Sequence, residues 1–467
     1  MNVLVYARAH NEAWYRAFCQ AAFPTAKITV LSDYRRVDET GLVDGFYRRL
    51  DERQGRIHWP DWVSADDELD IVARSVVLRK LPLDLARSLA GCMACTIDEI
   101  VERVKPDVVL GMSLDTYVLD LFHRAAVARD LPWFFMMASN INENTWASAR
   151  GELLEFREPA EEEIDAALNR MLDKAYLPTY TSEWLRDFSS KGAVRLAARE
   201  RIKKAIFPIL ARRERDPYGH NFLAHIHSPI TIKGSAIDPG KAFDPDWERK
   251  LKAWKGPKIY VPFQAYPECS IDYFPELREL IDYPSLLREA VRVLDASGEF
   301  LILAKEHPGM LGLRMPGFVT SFQGFRNCVL VPPTVNSNHL LSESDAVVLW
   351  TGTVGIEAAI RGKPVITVGD PYYRAGDAFS FINKRTEMET LPDVVRQALG
   401  RQISPETGRA VVRKLLAGAF PGEHRPYFYT PDNATVTAEI ATTATFVREN
   451  YDRLAEVSRA EGRRLRQ

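Results

Sequence analysis

Apolar runs of strand length, each followed by a helix-length amphipathic segment, recur through this 467-residue chain in two series. The first series opens with Val3-Leu4-Val5-Tyr6-Ala7 and a helical segment over 11–22. Lys27-Ile28-Thr29-Val30-Leu31, a helix over 83–104 and the run 107–112 follow. A helix over 116–129 and the run 132–137 complete it. Runs that are apolar on both faces belong to strands buried on both faces, the mark of a parallel sheet covered by helices. Strand and helix in alternation give βαβ units and a doubly wound sheet. The second series starts at Lys258-Ile259-Tyr260-Val261-Pro262-Phe263 and continues through strands at 300–304, 328–331, 346–350 and 364–368. Its helices are expected at 285–296, 338–342 and 354–361.

Between the two series the pattern changes. Residues 160–215 read as helical, charged and strand-poor, and a Pro/Gly-rich stretch runs from Asp216 to Gly240. The last seventy or so residues read as mainly helical. The expected organisation is therefore an α/β chain of two Rossmann-like, doubly wound domains facing a cleft. The first would span 1–240 with a helical insertion at about 160–215, and the second 241–400, with a hinge near 230–258. Residues 401–467 would form a helical tail packing back on the N-terminal domain. In such pairs ligands sit at the carboxyl ends of the strands.

Composition narrows the partners. Lys and Arg number 61 against 63 Asp and Glu, a formal net charge of −2, which argues against a nucleic-acid binder. No apolar run reaches the roughly 18 residues of a membrane span. The chain opens directly on a strand-like run, so no signal peptide is expected. Five scattered cysteines do not make a disulfide framework, and a cytoplasmic location is expected. One segment departs from neutrality: 195–215 carries eight basic and two acidic side chains around Ala205-Ile206-Phe207-Pro208-Ile209-Leu210-Ala211. It fits either contact with anionic inner-membrane lipid or a helix packing its stripe on the core, with Pro208 interrupting any long helix.

The chemistry is expected after the strands of the second series. Lys305-Glu306-His307-Pro308-Gly309 directly follows a strand, where Lys and His can donate to an anionic phosphate. Pro308 fixes the turn that aims His307. Trp350-Thr351-Gly352-Thr353-Val354-Gly355-Ile356-Glu357 places a hydroxyl-bearing turn between a strand and a helix start, with Glu357 one turn in to accept from ribose or a base. The spacing is not that of a P-loop, and no Gly-x-Gly-x-x-Gly follows Val3–Ala7, which argues against a nicotinamide dehydrogenase. Cys92 and Cys95 read as buried small residues. His220, His225 and His227 are too loosely spaced for a convincing metal site, so no metal and no cofactor are expected.

Taken in order, Val261-Pro262-Phe263-Gln264-Ala265-Tyr266-Pro267-Glu268, Lys305-Glu306-His307-Pro308 and Thr351-Gly352-Thr353-Val354-Gly355-Ile356-Glu357-Ala358 resemble the capsule polysaccharide biosynthesis glycosyltransferases, the group that includes bacterial Kdo transferases. The His-Pro pair and hydroxyl-rich turn are also similar to the cytidine-monophosphate sites of bacterial sialyltransferases. The resemblance covers about 258–375. It implies the GT-B fold, with the donor nucleotide in the C-terminal domain and its phosphate on His307, Thr351 and Thr353. It adds Gln264, Glu268, Lys305, Pro308, Gly352, Glu357 and, in the Gly369-Asp370-Pro371-Tyr372-Tyr373 loop, Tyr373 to the donor side.

The activity implied is metal-independent transfer of a sugar from a nucleotide donor to a growing surface polysaccharide or glycolipid. A CMP-Kdo-like donor is favoured over UDP or GDP sugars. Glycosyl transfer needs a general base or a carboxylate nucleophile. Asp115, after one strand of the first series, and Glu143, after the next, are the candidates, ahead of Asp33 and Glu12. The ordinary reading of Asp115 is a helix N-cap. The alternatives are a sugar-nucleotide 2-epimerase or polyol-phosphate transferase on the same fold, or a non-catalytic glycan- or nucleotide-binding protein.

Overall fold

The computed structural model describes residues 1–467 except 36, 40, 53–57, 174, 180–189, 221–242, 267, 311–312, 316 and 466–467. Its strands are β1 (Asn2–Tyr6), β2 (Lys27–Leu31), β3 (Val108–Gly111), β4 (Trp133–Ala138), β5 (Asn144–Ser148), β6 (Lys258–Pro262), β7 (Leu301–Lys305), β8 (Cys328–Val331), β9 (Ala346–Leu349), β10 (Val365–Val368), β11 (Phe379–Ile382) and β12 (Ala419–Pro421). They form two six-stranded sheets, ordered β12-β5-β4-β3-β1-β2 and β11-β10-β9-β6-β7-β8. The chain is mixed α/β with two parallel-dominated sheets and a helical C-terminal region.

The contacts divide the chain into two units. The first holds Met1–Glu158, Phe207–His227 and Leu415–Gln467, and the second Pro159–Ile206 and Ser228–Lys414. The helical segment expected as an insertion of the N-terminal domain is thus shared: most of it counts with the second unit. The expected hinge falls partly on 221–242, outside the described residues.

In the first sheet β1 pairs in parallel with β2 and β3, and β3 with β4. The apolar runs form strands because helices cover both faces: Val3, Leu4, Val5, Val108, Val109 and Leu110 have no solvent exposure. Gly111 lets Trp133 lie flat against the end of β3, in space that a Cβ would fill. One strand, β5, runs the other way. β5 pairs antiparallel with β4, and β12, from the tail, adds antiparallel to β5. The tail expected as helical therefore contributes a strand before its helices Ala434–Glu449 and Tyr451–Arg464. Ser458, on the last helix, accepts from Trp133 N at 2.9 Å and donates to Trp133 O at 2.6 Å, fixing that helix to β4.

The second sheet is parallel throughout. Its core joins strand residues Ile259, Val261, Ile302, Val348 and Ile366 to Leu286, Leu287, Val291 and Leu294 of the helix Tyr283–Ser297. In its order the chain moves outward from β6 through β7 to β8, then returns to β9 and moves outward through β10 to β11. The switch point, where adjacent loops part and leave a crevice, lies between β6 and β9. The corresponding point in the first sheet lies between β1 and β3.

The helix Ser190–Arg213 continues through Pro208, against the expected interruption. A single proline removes one hydrogen bond and bends a helix without necessarily ending it. Ile202, Ile206 and Ile209 stand exposed on it at helical spacing. No helix among the described residues is long and apolar enough to cross a membrane.

Candidate functional site

The second-unit site is built from the loops after β6, β7 and β9, on both sides of its switch point. Gln264, just past β6, joins two of them. Its Oε1 accepts from the backbone N–H groups of Trp350 (3.0 Å) and Thr351 (3.1 Å), and its Nε2 donates to Thr351 Oγ1 at 3.2 Å. Thr351 Oγ1 donates onward to Ser270 O at 3.1 Å. Gln264 N donates to Tyr283 OH at 2.7 Å, and the buried Tyr283 ring meets Trp350 edge-on at 4.9 Å. The β6 and β9 loops are thereby one rigid wall. Gln264 and Thr351 are both buried, and their polar atoms serve each other.

The turn after Thr351 leads into the helix Val354–Ala359. Thr353 occupies its cap position with no side-chain cap bond, so its hydroxyl is not consumed by the helix end. Tyr373 is fully buried and donates to Gly352 O at 2.9 Å. Gly355 carries no Cβ where the Tyr373 hydroxyl sits. Tyr373 thus holds the turn from beneath, a supporting place for a residue the resemblance put on the donor side. Glu268 is exposed and accepts from Ser270 Oγ at 2.9 Å.

The loop after β7 carries the charge. Glu306 is 2% exposed and paired with Arg314, whose Nη2 lies 2.8 Å from Oε1 and Nε 3.0 Å from Oε2. Arg314 also donates to Gln264 O, and its guanidinium lies over the Phe318 ring at 4.9 Å. Glu306 Oε1 accepts from His307 N at 2.6 Å. Arg314 and Glu306 were absent from the sequence-derived site, yet they fix the backbone that presents His307. Arg314 lies in an irregular loop nine residues beyond β7, with no periodicity to mark it.

His307 is solvent-exposed at the head of the short helical turn Pro308–Met310. Its Nδ1 accepts from Gly309 N at 3.2 Å, which leaves Nε2 as the protonated nitrogen of the neutral ring. The protein packed around it, together with Arg314 and Lys305, lowers its pKa to about 4. At neutral pH this is a neutral Nε2–H donor rather than a cation. Lys305 is 4% exposed, with Nζ 3.3 Å from Ser337 Oγ, and burial brings its pKa down to about 8. Glu357 is half-buried, and burial pushes its carboxyl up to about 7 against the opposing pull of Arg361 and Lys305. The site therefore offers a neutral imidazole donor, a readily discharged ammonium and a carboxyl that titrates near neutrality. Perturbed groups gathered at a strand-end crevice are the signature of a ligand site.

Glu357 makes stability depend on pH. The folded chain keeps its proton up to about pH 7, whereas a free glutamate loses it near 4.5. Stability contributed by this group is complete below about pH 4.5 and is lost as pH rises through about 7. Glu357→Gln is expected to flatten that fall, read as denaturant midpoint against pH. An equal slope in wild type and variant between those values would contradict it. Lys305 acts in the opposite sense at higher pH: it deprotonates earlier in the folded state, so stability rises from about pH 8 to about 10.5.

In the first unit, the expected Asp115 lies at the switch point between β1 and β3, in the loop after β3. The following helix, Tyr117–Ala128, has Thr116 at its cap position, so Asp115 is not the cap that its sequence position suggested. It instead forms a two-pronged ion pair with Arg8, at 2.6 and 2.8 Å. Arg8 Nε also reaches the buried Asp33 at 3.2 Å. Burial raises the carboxyl pKa of Asp33, opposed by Arg8. Sequence reading named both aspartates and missed the arginine between them. Its only signal was its place, two residues past the end of β1. Glu12 is bound to Tyr34 and Arg16.

Glu143 lies in the β4–β5 turn, exposed, with φ +65°. Its backbone is tied to the tail: Glu143 N donates to Glu423 Oε1 at 3.1 Å, and Gly422 N donates to Glu143 O at 2.9 Å. Cys92 is buried in the helix Leu83–Val104, whereas Cys95, expected to be buried with it, is only half-buried. His220 is buried between Asp216 (2.8 Å) and Tyr117 (2.9 Å), whereas His225 and His227 lie outside the described residues. Among the described residues, no group of three His, Cys, Asp or Glu side chains is placed to hold a metal.

These features define a class: an α/β chain with two doubly wound sheets and a cluster of polar and charged side chains at a strand switch point. Residues 246–379 match the family model described as capsule polysaccharide biosynthesis protein. That span contains every donor-side residue named from the motifs, and the resemblance is borne out over it. Protein FixF of Sinorhizobium fredii (strain NBRC 101917 / NGR234) is 28% identical over 127 residues, 26% of this chain and 28% of FixF. The chain thus matches little more than a quarter of that curated relative's length.

Among solved structures, Thermosulfurimonas dismutans KpsC, beta Kdo 2,7 transferase, is similar at 12% identity and TM-score 0.38, over 96% of this chain and 99% of that one. The beta Kdo 2,4 transferase of the same KpsC is similar at 15% identity and TM-score 0.34, over 72% and 87%. Methanocaldococcus jannaschii UDP-GlcNAc 2-epimerase is similar at 13% identity and TM-score 0.28, over 90% and 100%. These likenesses are too remote to bear on the chemistry.

Proposed function

We propose that this protein is a glycosyltransferase of bacterial surface-polysaccharide synthesis, using a nucleotide-activated donor, with a CMP-Kdo-like donor favoured. The observation that carries the reading is the match over 246–379, which coincides with the loops that build the second-unit crevice. The donor nucleotide lies there, with its phosphate on His307 Nε2–H and Thr353 and its ribose or base near Glu357. Neutralising charge on a departing nucleotide by fixed donors is electrostatic catalysis and needs no metal. Asp115 acts on the acceptor side, ahead of Glu143, because it lies at a strand switch point in an ion-paired cluster. The acceptor is a glycan or lipid-linked glycan. The exposed row Ile202, Ile206 and Ile209 among basic side chains suits peripheral contact with an anionic cytoplasmic membrane face.

Titration with CMP, CDP, UDP and GDP tests the donor. CMP binding at least about tenfold tighter than UDP or GDP is expected, a difference of about 1.4 kcal/mol. Preference for UDP or GDP would overturn the Kdo-like donor. Incubation with sugar nucleotide alone tests the activity: release of an epimerised sugar nucleotide without acceptor would replace transfer by epimerisation.

A further inference from the structure

An aromatic stack stands beside the Arg8–Asp115 pair. His10, four residues past β1, and Tyr427, in the short helical turn Pro426–Phe428, lie with rings parallel at an interplanar angle of 7° and centroids 5.2 Å apart. Tyr427 is nevertheless 72% exposed. One ring face is therefore backed by His10 and the other is open to solvent. A single exposed aromatic is ordinary in itself; what sets this one apart is that its ring plane is fixed and that charged groups stand beside it.

The plane is held from several sides. His424 packs edge-on against the buried Trp14 at 4.9 Å. Arg425 pairs with Glu439 at 3.5 Å and lies over the Phe428 ring at 5.2 Å. Gly422 N bonds the β4–β5 turn. Arg8 and Asp115 are near enough to act on the Tyr427 hydroxyl electrostatically. Asp115 keeps 32% of its side chain exposed, so it presents oxygen to solvent while paired with Arg8. An open ring face beside a partly exposed carboxylate, held by a largely buried arginine, is a combination that suits a pyranose. The apolar C–H face of the sugar lies on the ring, and its equatorial hydroxyls meet the charged donors and acceptors at the rim.

We propose that the Tyr427–His10 stack is the floor of a monosaccharide subsite, on which one pyranose ring of a glycan acceptor lies with its hydroxyls against Asp115 and Arg8. This rests on the glycosyltransferase reading for the word acceptor, but the subsite itself is a property of the first unit. Tyr427 is a binding residue here, and its ring rather than its hydroxyl does the binding.

Saturation-transfer NMR with methyl β-glucopyranoside, methyl β-galactopyranoside and Kdo as probes tests the proposal on the full chain. Wild type is expected to saturate the ring C–H protons of at least one probe. Tyr427→Phe should keep that signal and Tyr427→Ala should weaken binding by up to about tenfold, within the worth of one aromatic contact. Tyr427 is exposed, so a thermal melt should show Tyr427→Ala folded as wild type. His10→Ala, which removes the backing ring, should weaken binding less. Equal saturation in wild type and Tyr427→Ala, or none with any probe in wild type, would overturn the subsite. Titration of the same samples with CMP, UDP and GDP separates the two claims. Sugar binding with no binding of CMP, UDP or GDP leaves the subsite standing and sinks the transferase reading, whereas nucleotide binding with no sugar binding sinks the subsite alone.

Discussion

His307→Ala is expected to lower sugar transfer by about a hundred- to a thousandfold, the usual effect of removing one fixed donor from a developing negative charge. The imidazole is exposed, so the loss should come without unfolding. Because Nδ1 accepts from Gly309 N and the ring is neutral above about pH 4, the donor is Nε2–H. His307→Gln, which can offer an N–H from a similar reach, should retain more activity than His307→Ala. Activity should show no loss that tracks imidazole deprotonation between pH 6 and 7.5, since that proton has already left. A variant alanine with near-wild-type transfer, measured with saturating acceptor across several donor concentrations, would remove His307 from the donor site.

The reach of the sequence followed burial. Strands β1, β3, β6, β7, β9 and β10 are covered on both faces, so their side chains are apolar at successive positions and stand out as runs. β5 reads Asn-Thr-Trp-Ala-Ser and does not stand out, because polar side chains interrupt its apolar ones; among them the buried Thr145 Oγ1 donates to Gly422 O at 2.6 Å. β12 is three residues ending in proline, which only an edge position tolerates, and its partner lies some 270 residues away in sequence. The same logic divides the site. Lys305 and His307 were legible because one ends a strand and the other follows it closely. Arg8 was not, because its partners Asp33 and Asp115 lie on distant loops, and Arg314 was not, because its loop has no periodicity and its bond to Gln264 O crosses to the β6 loop. Thr351 was legible by position, but its place in the Gln264 bridge depends on strands β6 and β9 being neighbours, a fact of topology.

Arg314→Met should destabilise the second unit by about 3–5 kcal/mol, the cost of leaving one partner of a buried ion pair unpaired. Glu306 would keep the His307 N–H at 2.6 Å as its one remaining described donor while staying almost fully buried. The β6 loop would lose the bond from Arg314 to Gln264 O, so the two walls of the crevice would be freed together. Hydrogen exchange of amides in β6, β7 and the turn at 306–309 should report this as faster local opening, with the first sheet unchanged. Arg314→Met combined with Glu306→Gln should recover part of the loss, since no unpaired charge then remains buried. Arg314→Lys should restore the charge but not the two-pronged geometry, and nucleotide binding should stay weak even where stability returns. Stability within about 1 kcal/mol of wild type in Arg314→Met would place the pair outside the class of buried ion pairs whose breaking is costly, and the crevice would then owe its shape to the Gln264 bridge alone.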